Sequence, residues 1–188
     1  MDKLAAYKKV ILLGLFAMLM ISFSCKDSGV VKKVYHYPDP IEEAPYISVM
    51  IKPKRETVRL RAEGDFTIVH PESLEVLRAE RLLMNGVLTP DKKGIRLNTL
   101  LFPYKMITFV PAADTELSVD GDRYPGEIVI RRRNEKELDV INRVDLEVYL
   151  RGVLKCEINP SWPESCIKAQ AVASRTYALY HMKERADK

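Results

Sequence analysis

The sequence predicts an α+β fold, with a strand-rich leading part followed by two helices, set behind an N-terminal export signal and a tether. Three observations carry this. Apolar residues alternate with polar ones in short runs between positions 46 and 143, and the period lengthens to that of a helix at Val144. The third is an apolar run at residues 10–21, preceded by lysines and followed by small residues.

At 188 residues, the chain suits one domain of ordinary size plus a tail. Its hydrophobic content of 47%, against 30% charged residues, is that of a globular protein and confines disorder to local segments. The net charge of +4 is only mildly basic, and residues 1–24 supply +2 of it through Lys3, Lys8 and Lys9 against Asp2. Elsewhere Lys and Arg are interspersed with Asp and Glu, which argues against a nucleic-acid-binding face.

Residues 1–24 have the three parts of a secretory signal: a basic start, an apolar stretch at 10–21 and the small-residue site Ser22, Phe23, Ser24. The apolar stretch is shorter than the roughly 20 residues that span a bilayer comfortably. Cys25 after Ser24 resembles the acylated cysteine of bacterial lipoproteins, with Ser22 standing where that motif usually has Leu. Lipidation at Cys25, a plain cleaved signal and an uncleaved anchor all put the remainder outside the cytoplasmic membrane, facing periplasm or cell wall. Residues 25–45 are polar and spaced by Pro38, Pro40 and Pro45, as in an extended tether, with Tyr35, His36 and Tyr37 as exposed linker side chains.

Strands are expected at 47–51, 57–61, 66–69, 95–97 and 105–110, with Gly64, Gly86 and Gly94 as punctuation. Asp120 and Gly121 signal a hairpin. The runs 126–130 and 138–141 form a second hairpin around Asn134, Glu135 and Lys136. The basic run Arg131, Arg132 and Arg133 sits at a strand end beside that turn, where solvated surface is commoner than an anion site.

From Val144, the spacing of Leu146, Val148, Tyr149, Leu150, Val153 and Leu154 predicts an amphipathic helix that stops before Pro160. Ser161 to Glu164 fits a capping box, with Pro163 in the first turn of a second helix. The alanine-rich body that follows contains no stop signal before the sequence ends.

Two blocks, DLEVYLRGVLKCEINPSWP at 145–163 and KAQAVASRTYAL at 168–179, resemble the SpoIID/LytB family of stage II sporulation protein D and the amidase enhancers. The strands from Tyr46 resemble that family's leading strands more weakly. The domain would then occupy residues 46–188 and be truncated at its C-terminus, so the 188-residue chain alone is expected to be inactive. The resemblance implies a lytic transglycosylase acting on peptidoglycan glycan strands, with Glu157 as its single acid/base. The alternative is a non-enzymatic amidase enhancer or an inactive wall-binding fragment. Its partners would be glycan strands, a cell-wall amidase and, through the N-terminal lipid, the membrane.

One carboxyl suffices for such chemistry. Ordinary glycosidases flank the scissile bond with two carboxyls. In lytic cleavage, the muramic acid 6-hydroxyl is the nucleophile and closes a 1,6-anhydro ring. A glutamate in this role needs a raised pKa, which a desolvated helix end would supply and a nearby Lys155 ammonium would oppose.

Within the family blocks, Trp162 is either a staple of the turn or a sugar-stacking platform, and Arg175 either a structural anchor or a substrate ligand. Gln170 is a third candidate substrate ligand. Helical spacing spreads Lys168, Gln170, Arg175 and Tyr177 around the axis, so they cannot all face one cleft. Cys156 and Cys166 flank one turn and stand where the family more often has small residues. Outside the cytoplasm they are expected to form a disulfide, with buried free thiols and a metal site as the alternatives, and no His lies nearby to complete a metal set. Some family members bind zinc through downstream His and Cys residues that have no counterpart here, so no cofactor is expected in this chain.

Overall fold

The computed structural model describes residues 45–186. The signal, Cys25 and nearly all of the tether, including Tyr35, His36 and Tyr37, lie outside the described residues. Among the described residues ten strands precede two helices, giving the expected α+β arrangement. The strands are β1 (Tyr46–Arg55), β2 (Val58–Val69), β3 (Val76–Asp91), β4 (Gly94–Leu97), β5 (Leu100–Phe102), β6 (Met106–Pro111), β7 (Glu116–Val119), β8 (Asp122–Tyr124), β9 (Glu127–Arg132) and β10 (Leu138–Asp145). The helices are α1 (Leu146–Glu157) and α2 (Glu164–Ala186).

All strand pairings are antiparallel, in the order β1-β10-β9-β6-β2-β3-β4-β5, with β7 on β2 and β8 on β7. Strand β2 organises the sheet. Its first half pairs with β7, its second half with β6, and both halves with β3 along the other edge. Its even positions, from Val58 and Leu60 through Ala62 to Phe66 and Ile68, are buried in the main core with Phe109, Ile128 and Ile130. Each such side chain removed from water contributes about 1.5–3 kcal/mol before the cost of ordering it.

The expected strands at 57–61 and 66–69 are one continuous element. Gly64 lets the chain pass between them: its φ is +135°, and an added Cβ would collide with the Thr115 hydroxyl, which donates to the Asp65 carbonyl at 2.9 Å. The expected hairpin at Asp120 and Gly121 forms between β7 and β8, both residues having positive φ, 51° and 90°. Asp120 also ties this turn to β2, its carboxylate accepting from the Arg59 N–H at 3.0 Å.

Strands β3 and β5 were not foreseen. Up to Met84, β3 carries mainly Leu, Arg, Ala, Glu and Met, residues with good helix propensity, and it is extended because β2 pairs with it over most of its length.

The β9–β10 hairpin closes as expected around Asn134, whose side-chain oxygen accepts from the Lys136 N–H at 2.7 Å. The neighbouring basic run is used structurally. Arg131 donates to Asp139 at 2.9 Å, Arg133 lies 3.7 Å from the same carboxylate, and Arg132 donates to the carbonyls of Asp91 and Lys92. Asp139 is fully buried and also accepts from the Lys54 N–H, on the irregular end of β1.

Strand β10 runs directly into α1. Val144, expected in the helix, is instead a buried strand residue paired with Ile47 of β1. Asp145 caps the helix, accepting from the Val148 N–H at 3.0 Å, and the Pro45 carbonyl accepts from the Leu146 N–H. Leu146 and Leu150 of α1 and Ala178 of α2 form a second, smaller core against Ile47, Tyr149, Leu179 and Met182.

Candidate functional site at the helix hairpin

Glu157 is the last residue of α1. The next residue, Ile158, leaves the helix in an extended conformation while its N–H still donates to the Leu154 carbonyl. The chain then turns through Asn159, whose side-chain oxygen accepts from both the backbone N–H and the hydroxyl of Ser161. This local Asx turn displaces the expected capping box: the Ser161 hydroxyl is engaged by Asn159, and Glu164 pairs with Lys168 at 2.7 Å. Pro163, expected inside the first turn, precedes α2 and supplies the carbonyl that accepts from Cys166 and Ile167.

Across the hairpin, Gln170 of α2 donates to Glu157 Oε2 at 3.3 Å. Glu157 Oε1 has no hydrogen-bond partner among the described residues. Thus two of the expected site residues meet. The desolvation expected around Glu157 is not there, because the side chain is exposed at the free end of α1. Lys155 is exposed as well, and no ion pair joins it to Glu157 among the described residues.

Arg175 lies elsewhere on α2 and acts as an anchor. Its Nε and Nη2 donate to the two oxygens of Glu147 at 2.7 and 2.6 Å, clamping α2 to the first turn of α1. The same guanidinium holds the Glu147 carboxyl below the usual carboxylate range. Glu147 was missed in the sequence because the partners are 28 positions apart and meet only when the helices fold back on each other.

Tyr149, eight residues before Glu157 on α1, was missed too. Burial first, then the charge of Glu157 and the neighbouring Tyr177, push its phenol up, so it remains an O–H donor at neutral pH. Tyr177 itself is exposed and packs edge-on against His181, with ring centroids 4.3 Å apart. Trp162 is half-buried in the interhelix turn and is not among the side chains of the small helix core.

The expected bond between Cys156 and Cys166 is not formed. Both are free thiols and both are exposed, which also sets aside the buried-thiol alternative; each sits on the solvent side of its own helix. No group of three or more His, Cys, Asp or Glu side chains is placed to hold a metal ion among the described residues. Two shallow grooves, of about 420 and 370 Å³, lie on the sheet, and neither takes in a helix residue.

Residues 134–188 match the family described as stage II sporulation protein. Over this stretch the chain is similar to a SpoIID-family domain. The SpoIID segment begins in the β9–β10 turn and takes in β10 and both helices, so Glu157, Gln170, Glu147 and Arg175 all fall inside it, while β1 to β9 precede it. The match points to a cell-wall-related function.

The chain is similar to an uncharacterized protein of Brachyspira hyodysenteriae, 41% identical over 98 residues that make up 52% of this chain and 26% of that protein. It is also similar to an uncharacterized protein of Chlamydia pneumoniae, 26% identical over 175 residues, covering 92% of this chain and 61% of that protein. The chain therefore spans only part of the length of either relative. No solved structure matches.

Proposed function

We propose that the SpoIID helix hairpin carries the acid/base glutamate of a peptidoglycan lytic transglycosylase. The observation that supports it is the setting of Glu157: a carboxylate at the open end of α1, with Oε2 held by Gln170 and Oε1 unengaged, inside the family-matched residues. In its protonated form, Glu157 donates its proton to the glycosidic oxygen as the bond from the muramic acid C1 breaks. The 6-hydroxyl of the same sugar then attacks C1 and gives up its proton to the carboxylate, which closes the 1,6-anhydro ring and regenerates the acid. Gln170 fixes the carboxyl plane, and Trp162 in the adjoining turn offers an aromatic face to a sugar ring.

The exposure of Glu157 favours a second reading, in which the hairpin is a wall-binding surface that stimulates a separate amidase. In both readings the chain is exported and tethered to the membrane through Cys25, supported by the basic start, short apolar run and small residues at its N-terminus. Product analysis of glycan strands digested with the wild-type protein and with Glu157→Gln separates the two readings.

A further inference from the structure

From Lys92 to Ala113 the sequence holds Lys92, Lys93, Arg96 and Lys105 and no acidic residue. The fold gathers these cations at one corner. Lys92 and Lys93 form the turn between β3 and β4, and Lys105 lies just past the short strand β5. Gly94, which follows the turn, packs so closely on the Phe102 carbonyl, Pro103 and the Tyr104 nitrogen that an added Cβ would collide with all three, and this brings the turn up beside Lys105. Arg132 of β9 enters the same corner. Its Nη1 donates to the Asp91 and Lys92 carbonyls at 3.0 and 3.1 Å, and its backbone N–H donates to the Lys105 carbonyl at 2.8 Å.

Asp91, the carboxylate that lies among these cations, is taken up inside the turn. One oxygen accepts from the Lys93 N–H at 2.9 Å and the other from Arg96 at 2.7 Å. On the neighbouring strand, Asp139 and Glu137 are answered by Arg131 and Arg133. Glu72 and Glu75 bound the corner on the side where the His70 ring meets Tyr104. Lys92, Lys93 and Lys105 are exposed and form no ion pair among the described residues.

Beside these lysines the sheet ends. Strand β5 pairs with β4, and no strand covers its other edge among the described residues. Leu101 is paired with Arg96 and so shares its face, while Leu100 is on the opposite face at the very edge. Both are exposed, 36% and 39%.

We propose that this corner docks on the anionic surface of a phospholipid bilayer, with Lys92, Lys93 and Lys105 on headgroup phosphates and Leu100 and Leu101 entering the boundary beneath them. The pairing of features selects the partner. A soluble polyanion is satisfied by cations alone, whereas leucines at an open edge flanked by lysines match a surface that is charged outside and apolar just below. The geometry also sets an orientation. Arg132 pairs with Leu138 at the start of β10, and α1 leaves from Asp145 at the other end. Docking therefore leaves the helix hairpin at the end of the sheet remote from the bilayer, about 25 Å away along β10.

The test uses the full chain with Cys25→Ala, so that lipid at Cys25 plays no part and a failure leaves the anchoring reading untouched. Hydrogen exchange is followed by mass spectrometry on vesicles of phosphatidylglycerol mixed with phosphatidylcholine and on vesicles of phosphatidylcholine alone, and partition onto each is measured by sedimentation. Amides of residues 92–105 should be protected on the anionic vesicles only, and the preference for those vesicles should fall as salt rises. Lys92→Gln with Lys93→Gln should cut that preference about 25-fold, since each lysine at such a surface contributes about fivefold. Leu100→Ser with Leu101→Ser should cut it about tenfold. Unchanged melting temperatures check that both variants fold. Equal protection on the two kinds of vesicle, or none on either, overturns the proposal. So does a leucine pair that makes no difference, or protection of residues 92–105 by soluble polyglycerol phosphate in place of vesicles, which would make the corner a site for a wall polymer.

Discussion

Arg175 of α2 and Glu147 of α1 face each other in a two-pronged ion pair, at 2.7 and 2.6 Å, and this pair fixes how the SpoIID helix hairpin closes. Both side chains are about two-fifths exposed, 40% and 43%, so solvent screens the attraction. Replacing Arg175 by Gln should therefore cost about 1 kcal/mol or less in urea unfolding. Glu147 is held below the ordinary carboxylate range, so its contribution is complete above that range and fades as pH falls through its lower folded value. The difference between wild type and Arg175→Gln should shrink in acid over that window; a difference that stays constant would show that Arg175 acts through packing alone.

Asp139 makes a stronger case for charge. Burial pushes its carboxyl up, but the Lys54 N–H, the Arg131 hydrogen bond and the charges of Arg131 and Arg133 outweigh that and bring it below its usual range. Asp139→Asn keeps the shape while removing the charge, and should destabilise the fold on the order of 2 kcal/mol. Hydrogen exchange should speed up first at the Lys54 amide, whose acceptor changes from a carboxylate to a weaker, neutral amide oxygen. The wild-type protein should lose this same increment as pH drops through the depressed Asp139 value.

Exposed, unpaired thiols at Cys156 and Cys166 lead to a simple chemical expectation. Both should be alkylated in the folded protein without reductant. Replacing both by Ser should shift stability by no more than about 0.5 kcal/mol, as for surface positions without partners. A stabilised, non-alkylated wild type would mean that the helix ends rearrange to join them.

Where structure depended on neighbours in sequence, the sequence was readable. The turn at Asp120 and Gly121, the turn at Asn134 and the helical period after Val144 are local features, and each sits within a residue or two of its expected place. Glu157 at the end of α1 was legible for the same reason. Distant partners were not. Strand β3 is extended only because β2 lies beside it, against the helix propensity of its own residues. Glu147 could not be matched to Arg175 before the hairpin was seen. The capping box at Ser161 failed through a competition inside one turn, since Asn159 offers a nearer acceptor than the start of α2. The cysteine pair failed because closeness in sequence says nothing about which side of a helix a thiol occupies.

The central claim is that Glu157 is the acid/base of glycan cleavage, and the products of digestion test it most directly. Peptide-free glycan strands would be incubated with the full-length protein and with its Glu157→Gln variant, and the ends identified by mass. Gln keeps the size of the side chain and can still meet Gln170, but it cannot exchange a proton. Wild-type protein should yield 1,6-anhydro-muramic ends, and the variant, folded to the same melting temperature within a few degrees, should lose about 10² to 10⁴ in rate. Equal yields of anhydro ends from the two proteins, or no anhydro ends from the wild type, would contradict the account.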